Sequence, residues 1–105
     1  MRRTPEGRQK DKVDDFLKSL GPICSYICPA TFGMGRSGAS DRVACILGTF
    51  WAIEVKAPGG DTTALQRRYL EEVQKAGGMM TWGTAATIKL EIETWVREQQ
   101  NGTLP

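Results

Sequence analysis

Two carboxylates and an ammonium, on Asp41, Glu54 and Lys56, are the groups of this chain best spaced to hold a cation or handle a proton. They bound the stretch DRVACILGTFWAIEVK, which reads as two strands rich in Val, Ile, Phe and Trp around a tight turn. Gly48-Thr49 as the central pair suits a type II′ hairpin. That turn predicts Leu47 opposite Phe50, Cys45 opposite Ala52, Val43 opposite Glu54 and Asp41 opposite Lys56. Directly paired residues share a face, and side chains alternate along a strand. Asp41, Glu54 and Lys56 therefore project from one side, at the end of the hairpin away from the turn. Direct partners lie roughly 4.5–5.5 Å apart and diagonal ones roughly 7–8 Å, so two carboxylates and a lysine converge. On a solvated face this would be a cross-strand ion pair of little weight. Both faces of the hairpin carry apolar residues, however: Ala44, Ile46, Trp51, Ile53 and Val55 beside Arg42 on one, Val43, Cys45, Leu47, Phe50 and Ala52 on the other. Such a strand pair is expected to be covered on both faces. That would bury the acids in part, and buried acids need a cation.

Two further polar residues fall where apolar ones are expected. Thr4-Pro5 opens a helix, with Thr4 as N-cap and Pro5 at the first helical position. Its apolar stripe is Val13, Phe16, Leu17 and Leu20, and Gly21-Pro22 ends it. Glu6 lies two turns before Val13, in the same stripe. It is either a first-turn acid in solvent, favoured by the helix dipole, or an acid facing the hairpin carboxylates. Ala57-Pro58-Gly59-Gly60 breaks the strand after Lys56, and Asp61-Thr62-Thr63 supplies cap candidates for a helix to Ala76. Leu65, Tyr69, Leu70, Val73 and Ala76 form its apolar arc, and Gln66 falls in the middle of that arc. A buried amide must find partners, so Gln66 is tied to nearby backbone or points at the site.

The remaining elements are a first strand over Ile23–Pro29, a fourth over Met79–Trp82, and a last helix from the Thr84 cap to about Gln99 with Ile88, Ile92, Trp95 and Val96 inward. Residues 1–3 and 101–105 read as frayed ends. The order helix, three strands, helix, strand, helix predicts a single α/β domain over residues 1–105, with a small mixed sheet flanked by helices. The loop Thr31–Ser40 contains Gly33, Gly35 and Gly38 at G-x-G-x-x-G spacing, but it leads into a strand rather than opening a helix. That excludes a dinucleotide fingerprint, and no Gly-Lys-Ser/Thr follows, so no nucleotide cofactor is expected. Arg36 on this loop is a candidate phosphate contact.

Composition bounds the rest. A chain of 105 residues with a net charge of +2 permits a nucleic-acid partner without demanding one. No run is long enough to span a membrane, and MRRTPEGRQKDK has no apolar core behind its arginines, so a secretory signal is not expected. Cys24, Cys28 and Cys45 have no framework spacing and are expected to be buried thiols in a reducing compartment. Histidine is absent, which leaves a four-ligand zinc site short of donors and excludes histidine-based catalytic triads.

Asp41, then Glu54-Val55-Lys56 on the next strand, then Gln66 on the following helix, resembles the PD-(D/E)XK nucleases. More narrowly, GRSGASD…AIEVKAPGG…LQ behind a TPEGRQKDKV helix resembles the stand-alone, virus-type VRR-NUC nucleases, over about Thr4 to Gly78. Ser40 stands where that family usually has proline, a turn-shaping position that ligates nothing. The resemblance implies a restriction-endonuclease-like fold and a Mg²⁺-dependent DNA endonuclease, with Mn²⁺ as substitute. Branched or four-way-junction DNA is the candidate substrate, cut by a homodimer in the cytoplasm of a phage's bacterial host. By resemblance, Asp41, Glu54 and the carbonyl of Val55 hold the metal and Lys56 orients or activates the attacking water. Glu6 completes the outer acid shell, and Gln66 helps position the site. Such chemistry needs few protein carboxylates and no histidine. The alternative is a non-catalytic nucleic-acid-binding or assembly module that keeps the fold and its ion-paired hairpin.

Overall fold

A computed structural model describes residues 3–29 and 40–102 of the chain. Helix α1 (Pro5–Ser19) starts at Thr4, whose hydroxyl accepts the Gly7 N–H, and buries Val13 and Leu17. Strands β1 (Cys24–Ile27), β2 (Arg42–Ile46) and β3 (Thr49–Val55) follow, then helix α2 (Ala64–Lys75), strand β4 (Met79–Gly83) and helix α3 (Ala85–Asn101). The order and class are those expected: an α/β domain with one four-stranded mixed sheet, β1-β2-β3-β4. β2 runs antiparallel to both β1 and β3, and β4 joins β3 in parallel through the α2 crossover. At the ends, Arg3 forks onto Asp11 at 2.9 and 3.0 Å, and α3 continues past Gln99. The glycine loop with Arg36 lies outside the described residues.

The hairpin differs from expectation at its turn. Leu47 and Gly48 are its central residues, with φ of 49° and 78°, so both sit in the left-handed region that a type I′ turn requires. Leucine is a poor choice there. Its N–H, however, reaches the Ile23 carbonyl at 2.9 Å, which ties the turn to the start of β1. Ile46 therefore pairs with Thr49, Val43 with Ala52 and Arg42 with Ile53. The slip is two residues, so every side chain keeps its face, but the end of the ladder now sets Asp41 level with Glu54 rather than Lys56.

One face of the sheet is dry. Ala44, Ile46, Trp51, Ile53 and Val55 join Val13 and Leu17 of α1 and Ala85, Ile88, Ile92 and Val96 of α3 in the core. Trp95 packs edge-on against Trp51, with ring centroids 5.3 Å apart. The opposite face is not fully covered, contrary to expectation. Short α2 packs mainly on β3 and β4, burying Leu70 while Leu65 and Ala76 stay exposed. Phe50 and Cys45 on that face are exposed, and Val43 is half-buried. The cysteines depart from expectation with it: all three are free thiols, but Cys28 and Cys45 are exposed and Cys24 is only half-buried.

Candidate active site

The acids meet where β2 begins and β3 ends. Past the last backbone pair, the two residues exchange side-chain bonds for ladder bonds. The Val55 N–H donates to Asp41 Oδ2 at 2.9 Å, and the Asp41 N–H donates to Glu54 Oε2 at 3.2 Å. Ser40 prepares the approach: it is buried, and its hydroxyl donates to the Arg42 carbonyl at 2.9 Å. At this position, where the resembled family usually has proline, a side-chain bond across two residues shapes the turn.

Glu54 is 2% exposed. Burial pushes its carboxyl up to about 8, reinforced by side-chain hydrogen bonding with Asp41 and by the charge of that acid, while Lys56 and the Asp41 N–H oppose only in part. Lys56 Nζ stands 3.7 Å from Glu54 Oε1 and donates to Gln66 Oε1 at 2.9 Å. Gln66 Nε2 donates to the same Glu54 oxygen at 2.9 Å. Sequence left two places for Gln66, and it occupies both. Its carbonyl also accepts the Thr63 N–H at 2.9 Å, and its own N–H donates to the Thr63 hydroxyl at 3.1 Å, which completes a capping box. The amide that starts α2 is thus the amide that holds Lys56 and Glu54. Between them, Ala57 to Gly60 close a turn with the Gly60 N–H on the Ala57 carbonyl at 2.9 Å, Pro58 leading and Gly59 at φ 81°. Proline then glycine at those two places is the signature of a type II turn.

Glu6 is not in contact with the hairpin acids. It lies half-exposed on α1 and pairs with Lys10, whose Nζ is 3.4 Å from Glu6 Oε2 and 3.5 Å from Asp41 Oδ1. Lys10 was missed in the sequence because a lysine four residues after a glutamate reads as an ordinary helix-surface pair. The signal that could have found it is a stripe: Glu6, Lys10 and Asp14 share one face of α1. Asp14 takes the Arg42 guanidinium at 2.6 and 3.0 Å, which docks this face beside Asp41. The hydrogen bond to Asp14 more than offsets partial burial and holds Arg42 firmly protonated.

Asp41, Glu54, Lys56 and Gln66 are brought together, then, while Glu6 joins through Lys10. Among the described residues no group of three or more acid, cysteine or histidine side chains is close enough to hold a metal. The donors that do converge are oxygens of buried Glu54 and half-buried Asp41, and Lys56 does not fully relieve the repulsion that Asp41 exerts on Glu54. That donor set fits a hard divalent cation that keeps several of its waters. It does not fit a soft metal. No family model, no curated protein and no solved structure matches the chain.

Proposed function

We propose that this chain is a Mg²⁺-dependent endonuclease that hydrolyses DNA phosphodiester bonds. The observation that carries the reading is the direct pairing of half-buried Asp41 with buried Glu54 at the strand ends, with Lys56 clamped beside them by Gln66. Asp41, Glu54 and the Val55 carbonyl would hold Mg²⁺ or Mn²⁺. A divalent ion so held supplies an acidified water and offsets charge on the phosphate. Lys56 would orient the attacking water and stabilise charge on the phosphorane-like transition state, where a fixed cation acts most strongly. A water oxygen bonds to phosphorus as one P–O ester bond breaks, leaving a phosphate monoester and a free hydroxyl. Gln66 keeps Lys56 from collapsing onto Glu54 alone. Branched DNA and a homodimer belong to the same reading, as does action in the cytoplasm of a bacterial host. No helix among the described residues is long and apolar enough to cross a membrane.

The test is incubation with labelled linear, flapped and four-way-junction DNA, with and without Mg²⁺ or Mn²⁺. Cleavage that depends on the metal and is lost in Glu54→Ala is expected. DNA binding with no cleavage in either metal would overturn the enzyme reading in favour of a non-catalytic nucleic-acid-binding module.

A further inference from the structure

Two ammonium groups flank the acid pair, and they are held differently. Lys56 is 12% exposed at its side chain and hydrogen-bonded to Gln66 at 2.9 Å. Lys10 is 28% exposed, and its Nζ sits at ion-pair distances of 3.4 and 3.5 Å from Glu6 and Asp41. Both distances exceed those of good hydrogen bonds. A single loose cation therefore bridges an acid of α1 and a candidate metal ligand of the hairpin. The flexible four-carbon stem of lysine lets such a group leave without moving the helix, and the Arg42–Asp14 fork keeps α1 docked whether it leaves or not.

We propose that Lys10 is an exchangeable counter-ion of the acid pair: it occupies Asp41 while no divalent cation is bound, and yields that carboxylate to the cation and turns to a substrate phosphate when one binds. This rests on the nuclease reading above. A divalent ion taken up by Asp41 meets the Lys10 ammonium as a like charge at close range. The ammonium can swing to solvent, whereas Lys56 is clamped. Glu6 then has a definite part: four residues before Lys10, it tethers the released ammonium at the mouth of the site, where a phosphate backbone must approach. Lys10 is a positioning residue in this scheme, and Glu6 acts through it.

The experiment compares wild type, Lys10→Met and Lys10→Arg. Mn²⁺ is titrated calorimetrically without DNA, and melting temperature is followed with and without Mn²⁺. A duplex is then bound at several salt concentrations with Mn²⁺ present, in a Lys56→Met background that keeps the DNA intact. Lys10→Met should bind Mn²⁺ about tenfold more tightly, the scale of one unit charge a few ångström from a divalent ion in a water-like dielectric. It should also show a larger Mn²⁺-induced rise in melting temperature and a salt slope for DNA binding shallower by about one. Lys10→Arg, which keeps the charge, should behave as wild type in all three. If Lys10→Met does not fold, Lys10→Gln gives the same comparison. Mn²⁺ binding by wild type that is unchanged or weaker in the neutral variants overturns the proposal and leaves the nuclease reading intact. No Mn²⁺ binding by any of the proteins overturns both.

Discussion

At Glu54, loss of hydration outweighs the attraction of Lys56, and the carboxyl is pushed from 4.5 up to about 8. The folded protein therefore binds a proton that the unfolded chain has released, over the range between those two values. Stability from this group is fully present below about pH 4.5 and is lost as pH rises through about 8. A tenfold difference in proton affinity between folded and unfolded chain is worth about 1.36 kcal/mol, so metal-free protein should lose up to several kcal/mol across that window. Denaturant titrations from pH 5 to 9 would read it, and Glu54→Gln should flatten the profile. Saturating Mg²⁺ should hold stability up at high pH, because the ion takes the place of the proton. The same charge argument covers the ligands: Asp41→Ala or Glu54→Ala should abolish Mn²⁺ binding and cleavage without unfolding the metal-free protein, since removing one acid relieves repulsion on the other. Full activity in either variant would remove these residues from the site. Lys56→Met separates binding from chemistry. It should keep metal and DNA affinity but lose about 10²-fold or more in single-turnover rate, as expected for a group acting at the transition state. A drop below about tenfold would make Lys56 a structural counter-ion only.

Elements set how far those side chains can be trusted to meet. The caps at Thr4 and Thr84, the Asp61-Thr62-Thr63 stretch that holds the α2 cap, and the buried stripes of α1 and α3 were legible, because capping chemistry and helical periodicity are local. The shared face of Asp41, Glu54 and Lys56 was legible for a similar reason: alternation with a period of two survives a slip of two residues. The register was not. It depends on Leu47 accepting a left-handed backbone in return for a bond to Ile23, a contact between segments that no local rule contains. Lys10 was hidden likewise, since it acts between helix and hairpin. The open face over Phe50 and Cys45 could not be read from the strands, because coverage depends on how far α2 reaches. Thr63 gives an element-scale test. Its hydroxyl caps Gln66 and its N–H holds the Gln66 carbonyl, so Thr63→Ala removes one of these bonds and leaves the other. Thermal unfolding should show a loss of about 1 kcal/mol, the usual worth of an N-cap. Cleavage should fall as well, because a looser first turn frees Gln66 from Lys56 and Glu54. A pure stability effect with an unchanged rate would separate the cap from the site.

Among the described residues, apolar area stays open on the sheet face and on α3, and the two lie differently with respect to the acid pair. Ile27, Cys45 and Phe50 belong to the uncovered sheet face. Leu90, 69% exposed, stands on α3 beside half-buried Met79, Met80 and Trp95. Together with Trp51 they line a groove of about 420 Å³ between α3 and the start of β4. Because β3 and β4 run parallel, Met79 pairs with Trp51 at one end and Gly83 with Val55 at the other, next to the acids. The Leu90 groove is thus at the end of β4 remote from the site. A two-fold dimer closed through it would leave both sites free and would carry one to each strand of a symmetric branched substrate. Light scattering should give twice the 11.6 kDa chain mass for wild type. Leu90→Glu should return the mass to that of one chain, while Phe50→Glu should leave the dimer intact. The reverse pattern would move the interface to the open sheet face. A wild-type mass near 11.6 kDa at working concentration would discard the dimer. The four-way junction would then give way, as the expected outcome, to the nicking of flaps or duplex ends, since a single site can engage only one strand at a time.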